Sequence, residues 1–326
     1  MAYNNVISRS DAQALIPEDA AKTVIETTPE MSAVMRLAQR LPNMSTKQTR
    51  LPIVSALPTA YFLSGDIAQK QTTEVNWSNK YIDAEELAVI VPIPEAVLDD
   101  TSFDVWGMVK PLLSEAFGKA IDAAVLYGTN IPTSWTTNLG AAGLVAGTTA
   151  ASQNLSLANY SDMYEALLGE TTGGTAGVLM ALEADGFIAS GHIAHTSMRG
   201  KLRNTRTADG QPIFHPGQQV GNSFATGTLD GAPILYPLNG SIVAASSLLI
   251  AGMWRHLVYA MRQDMTYKVL DQAVIQDGSG NIIYNLAQQD MVALRAVMRL
   301  GFALPNPINR MNETEATRFP FATLVA

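Results

Sequence analysis

The chain has 326 residues, 21 Lys plus Arg against 29 Asp plus Glu for a net charge of −8, and no cysteine. Lack of cysteine excludes disulfides, thiolate metal sites and thiol nucleophiles, and the acidic balance opposes general nucleic-acid binding, which needs clustered positive charge. Hydrophobic residues make up 47% and no apolar run nears the ~20 residues that span a bilayer. The composition is therefore that of an ordinary water-soluble chain of roughly two domains, with no secretory signal visible and a cytoplasmic origin expected.

Residues 1–49 read as an arm, because their one amphipathic stretch (Met31, Val34, Met35, Ala38, Leu41) is too small to close a core. It is a frayed tail, docks on its own domain, or lies on a neighbouring subunit. Residues 50–82 are rich in β-branched and aromatic residues and turn near Ser64, Gly65 and Asp66, which predicts a long hairpin. An isolated two-stranded ribbon is marginal in water, so this one must lie on something.

A strand is expected over 86–91, with Pro92 and Pro94 breaking the ladder and forcing a turn. Thr101 or Ser102 then caps a helix reaching Tyr127, about 39 Å long at 1.5 Å per residue and kinked or restarted at Pro111. Phe103, Trp106, Leu113, Phe117, Ile121 and Ala124 mark its apolar face. Residues 129–158, punctuated by glycine, threonine and proline, read as a long loop.

Helices over 159–168 and 177–185, a strand over 192–196, a helix over 197–203 and a strand over 232–236 form an α/β module. From Leu248 the pattern turns to β. Asp277 to Asn281 (DGSGN) signals a turn, and DMVALRAVMRLGFALPNP is a long strand with one covered face.

No chemistry-bearing motif survives inspection. Neither glycine-rich phosphate fingerprint occurs, and TTGGTAG lacks the lysine that would meet phosphate. Gly221-Asn222-Ser223-Phe224-Ala225 resembles a nucleophile elbow but has alanine where the second glycine belongs. His192, His195, His215 and His256 lack metal-ligand spacing for the elements they occupy. We therefore expect no catalytic residue, no cofactor and no metal. The densest basic run is Arg199, Lys201, Arg203 and Arg206, which reads as a solvated helix end, a partner for acidic residues of neighbouring subunits, or a nucleic-acid contact.

Four stretches carry a resemblance: EELAVIVPIPEAVLDD (85–100), KPLLSEAFGKAIDAAVLYGT (110–129), LDGAPILY (229–236) and DMVALRAVMRLGFALPNP (290–307). In that order and spacing the chain resembles the tailed-bacteriophage major capsid proteins with the Hong Kong 97-type fold. The resemblance implies an α+β architecture with an N-terminal arm (1–49) and an extended β-hairpin loop (50–82). It further implies a peripheral domain carrying a long spine helix (83–128 and 265–326) and an axial α/β domain (129–264).

It also implies a non-enzymatic subunit that assembles as hexamers and pentamers into an icosahedral head. That head would form in the host cytoplasm and enclose double-stranded DNA without strong binding, with scaffold, portal and decoration proteins as further partners and no membrane. The expected subunit contacts are Tyr61, Phe62, Lys70 and Trp77 in the hairpin together with Arg199, Lys201, Arg203 and Arg206. Lys70 and Lys80 are expected to be plain surface residues, although some relatives crosslink a loop lysine to an asparagine. An encapsulin-like shell, which shares the fold, is the first competing reading; the long arm favours the phage reading. An α/β hydrolase using Ser223 is the second.

Overall fold

The computed structural model describes residues 31–63, 69–101, 104–170, 174–206, 211 and 225–326. The arm before residue 31, the turn at Ser64, Gly65 and Asp66, Ser102 and Phe103, Thr171 to Gly173, His215 and Ser223 lie outside the described residues.

The first described element is the short helix α1 (Ala33–Leu37), capped by Ser32 and followed by β1 (Gln39–Arg40). The expected hairpin forms from β2 (Gln48–Ala56) and β3 (Asn76–Asp83), which pair antiparallel from Gln48↔Asp83 to Ala56↔Asn76. Next comes β4 (Glu85–Pro94), which continues through both prolines: Pro92 faces Ala293 and Pro94 faces Met291 in its ladder. The expectation that these prolines end the pairing is wrong for a physical reason. β4 lies at a sheet edge, and the prolines, two residues apart, turn their donor-less nitrogens to the same outer side.

Helix α2 (Glu95–Asp100) is separate from α3 (Val105–Tyr127). Asp104, rather than Thr101 or Ser102, caps α3, its carboxylate accepting from the Gly107 amide at 3.0 Å. Pro111 does not break the helix. It removes one bond in the second turn, while Leu113, Phe117 and Ile121 hold the axis through packing.

The stretch expected to be a loop contains α4 (Thr133–Leu139), α5 (Leu144–Ala150) and β5 (Asn154–Ser156). Its punctuation residues are helix ends. Pro132 precedes α4, and Gly140, left-handed at φ 75°, closes it, while Trp135 and Leu139, four residues apart, bury one face. The α/β module follows with α6 (Met163–Leu168), α7 (Val178–Ala184), β6 (Gly191–Ala194) and α8 (Thr196–Asn204). It closes with β7 (Ala225–Leu229), β8 (Ala232–Tyr236) and β9 (Leu249–Gly252). The remaining strands are β10 (Val258–Leu270), β11 (Val274–Gln276), β12 (Ile282–Asn285), β13 (Met291–Ala303) and β14 (Phe321–Val325).

Two larger sheets result. One has the order β1-β10-β13-β4, the other β5-β14-β9-β6-β8-β7. Residues 265–326 are thus not all in one unit: β14 pairs with β9 and β5 in the six-stranded sheet, and β10 enters the four-stranded sheet already at Val258. Strand parity divides the six-stranded sheet between two cores. Ile193, Leu235, Ile250 and Phe321 face the core containing α3, α4 and the four-stranded sheet, whereas Ala194, Ile234, Leu249 and Leu324 face α6, α7 and α8. A third small cluster, Met44, Ile82, Ala84, Val258, Ala260 and Ala303, seals the hairpin base.

Phe302 lies at the centre of the first core, stacked on Tyr259 at 5.6 Å and edge-on to Trp135 at 5.2 Å. Phe302→Ala is expected to destabilise the subunit by about 3–5 kcal/mol, read by denaturant unfolding. A loss below about 1 kcal/mol would show that this ring cluster does not hold α4 against the sheet.

Candidate assembly surfaces

The hairpin projects apolar side chains that nothing among the described residues covers. Trp77 is 71% exposed, Phe62 is fully exposed, and Tyr61, Leu63 and Tyr81 are each exposed by more than 40%. The Tyr61 hydroxyl bonds the backbone of Gln71, which ties the two arms of the loop beyond the paired strands. Lys70 is exposed beside them, while Lys80 forms an ion pair with Glu315 at 2.6 Å. A second exposed apolar group, Val274, Ile282, Ile283 and Tyr284, occupies the β11–β12 hairpin, whose DGSGN turn Asp277 organises by accepting from Ser279 and Asn281. Sequence inspection found the turn but missed these apolar residues, although their β-branched run beside a turn was the available signal.

The basic run lies where expected, on and just after α8. Lys201, Arg203 and Arg206 are exposed, and Lys201 and Arg206 line a shallow cleft with Tyr160 and Asp162. Arg199 and Arg203 lie near the buried Tyr236 hydroxyl. Burial pushes that phenol up to about 12, and the two cations oppose the shift. The hairpin and basic groups are not brought together into one site.

His192 is buried in β6, with Nε2 against the Leu229 carbonyl at 3.2 Å, and burial lowers it to about 4. His195 caps α8: its Nδ1 accepts from the Ser197 amide. The turn from β6 into α8, where a nucleophile elbow would place serine, thus carries a capping histidine. Among the described residues no group of three or more His, Asp or Glu could hold a metal ion, and no helix is long and apolar enough to cross a membrane.

Sequence inspection missed Asp122. It lies fully buried on α3, where Oδ1 accepts from the Ser32 hydroxyl at 2.5 Å and the Val34 amide at 3.1 Å. Oδ2 accepts from the Ala33 amide at 3.0 Å and the Ser241 hydroxyl at 3.3 Å. One carboxylate thereby joins the end of the arm, the long helix and the 239–247 loop. One turn earlier Gly118 gives the arm its seat: a Cβ there would stand 2.7 Å from the Ser32 nitrogen. An acidic residue four positions from a glycine, inside the stripe Phe117, Ile121, Val125, was the legible sign.

Two sheets packed on one long helix, with an exposed apolar ribbon projecting from them, make up the architecture that the comparisons with known proteins match. The chain's residues 12–309 match the model of the phage capsid family. The chain is 25% identical over 303 residues to the major capsid protein of Staphylococcus phage 80alpha, which covers 91% of this chain and 84% of that protein. A solved chain from Microbacterium phage Oxtober96 is 31% identical, covers 98% of this chain and 99% of its own, and superposes with a TM-score of 0.79. One from Mycobacterium phage Adephagia is 29% identical, covers 98% of both chains and has a TM-score of 0.78. The chain belongs to the phage capsid family, and the α+β capsid fold expected from the resemblance is the fold found.

Burial raises Asp122 to about 6 from the ordinary 3.8, because desolvation outweighs the hydrogen bonds from Ser32, Ala33, Val34 and Ser241. The folded chain therefore holds a proton that the unfolded chain releases between these values. The stabilising contribution is fully present below about 3.8 and is lost as pH rises through about 6. Asp122→Asn has no such proton. The wild-type stability measured relative to this variant should thus fall between pH 4 and 7 by about 2–3 kcal/mol. A difference that stays flat across this range in paired denaturant titrations would show that the carboxylate does not titrate there.

Proposed function

We propose that this chain is the repeating subunit of a tailed-phage head, assembling as hexamers and pentamers into an icosahedral shell around double-stranded DNA. The four-stranded sheet with α3 is its peripheral domain, and the six-stranded sheet with α6, α7 and α8 is its axial domain. Scaffold, portal and decoration proteins are its further partners, the host cytoplasm is its place of assembly, and it performs no catalysis. The observation that carries this reading is the uncovered hairpin: Tyr61, Phe62 and Trp77 face solvent in a chain whose other cores are closed. Burying such aromatic side chains on a neighbour contributes a few kcal/mol at each contact, and in a shell the contact repeats at every subunit. The basic residues Arg199, Lys201, Arg203 and Arg206 and the loop residue Lys70 are proposed as polar subunit contacts around this apolar one.

Paired strands end at Ala56 and resume at Asn76, so removing Leu57 to Thr73 and closing the gap with a short turn leaves the β2–β3 ladder intact. The deleted chain is expected to fold, by circular dichroism, and to form no shells by electron microscopy. Normal shells would remove the hairpin from assembly, and an unfolded product would place it in the subunit core.

A net charge of −8 leaves little attraction for phosphate, so the container holds its contents by enclosure. The free subunit should show no tight binding to double-stranded DNA at physiological salt. Sub-micromolar binding that weakens steeply with added salt would contradict enclosure without affinity.

A further inference from the structure

Residues 304–320 connect the end of β13 in the four-stranded sheet to β14 in the six-stranded one. They contain no helix or strand, yet they are held as a closed unit. The buried guanidinium of Arg318 donates to Asn306 Oδ1 at 3.3 Å, to the Asn306 carbonyl at 3.1 Å and to the Asn312 carbonyl at 2.8 Å. Asn306 Nδ2 in return donates to the Arg318 carbonyl at 2.8 Å. A guanidinium spread over three acceptors fixes a loop in one geometry, since leaving any of its donors unmet in the interior is costly.

One side of this unit is fastened to Asp185, at the C-terminus of α7. Asn309 Nδ2 donates to the Asp185 carbonyl at 2.8 Å, Asn312 Nδ2 to Oδ1 at 2.8 Å and the Phe319 amide to Oδ2 at 3.2 Å. At Gly186, left-handed at φ 79°, the Met311 side chain lies so close that a Cβ would stand 2.7 Å from its Cγ. The other side grips both arms of the hairpin. Arg310 Nη2 donates to the Pro58 carbonyl at 2.8 Å, the Ile308 amide to the Val54 carbonyl at 3.4 Å, and Lys80 pairs with Glu315. The hairpin base is held separately, by Trp135 Nε1 and Asn138 Nδ2 donating to the carbonyl and carboxylate of Asp83.

We propose that residues 304–320 are a stiff strap that makes the hairpin follow the six-stranded sheet while its base pivots on the four-stranded one. A change in the angle between the two sheets would then swing the hairpin. The coupling is internal to one chain and holds whatever the hairpin covers.

The lack of cysteine makes the test direct. Spin labels on Ser78→Cys in the exposed face of β3 and Glu183→Cys in α7 report the distance between hairpin and axial helix in the full-length subunit. Arg310→Ala with Lys80→Ala, which cuts the hairpin side, should widen the distance distribution about twofold, and Asn309→Ala with Asn312→Ala, which cuts the α7 side, should do the same. A distribution as narrow as that of the uncut chain in both variants overturns the strap.

Hydrogen exchange supplies a second reading if the α7-side variant fails to fold. In Arg310→Ala with Lys80→Ala the amides of β2 and β3 should exchange about fivefold faster while those of β10 and β13 hold. Unchanged β2 and β3 exchange with loss of protection only at Met311 and Asn312 would also overturn it.

Discussion

Burial of α3 is the constraint on which the rest of the architecture depends. The two sheets share no strand pairing, and what joins them is the stripe Leu113, Phe117, Ile121 and Val125, packed in the same cluster as Leu294, Leu300 and Phe302 of one sheet and Ile193, Leu235 and Ile250 of the other. A helix of 23 residues extends about 35 Å, long enough to serve both. Its far end also sets the position of the 239–247 loop, through Asp122 to Ser241 and through the Tyr127 hydroxyl to Ser247 and the Val243 amide. Placing a carboxylate inside such a stripe costs desolvation energy, and the four donors around it reduce that cost without cancelling it, which is why its proton affinity rises.

The residues that close the cores and the large apolar residues left exposed are different sets. The side chains that close the three cores lie within the subunit, whereas Phe62, Trp77 and the β11–β12 residues are left over. Individual exposed contacts are then weak enough to reverse while the whole assembly, which repeats them, is not.

Much of this was legible in the residues. Alternating apolar runs gave β13 and β8, DGSGN gave its turn, and the ribbon of β2 and β3 followed from β-branched and aromatic content. Several failures share one cause: punctuation was read without its tertiary setting. Pro92 and Pro94 look like breakers until β4 is known to be an edge, and Pro132 and Gly140 look like loop residues until Trp135 and Leu139 are seen to bury the turn of helix between them. The exposed hairpin aromatics stand out for the opposite reason. No local pattern buries Tyr61, Phe62 and Trp77, whereas Asp122 is marked by its place in an apolar stripe but its partners, up to 119 positions away as in the bond from Ser241, are not written in the spacing.

The two prolines of β4 also bear on how copies of the chain can meet one another. An open strand edge is a template for another strand, and chains that join edge to edge form fibres instead of closed bodies. The outer strands of the two larger sheets are poor bait. β4 lacks two of its donors, β1 has only two residues and β5 three, and β7 has five including a glycine. Resistance to edge-to-edge joining is thus written into the margins of the two larger sheets, in residues that contribute little to either core.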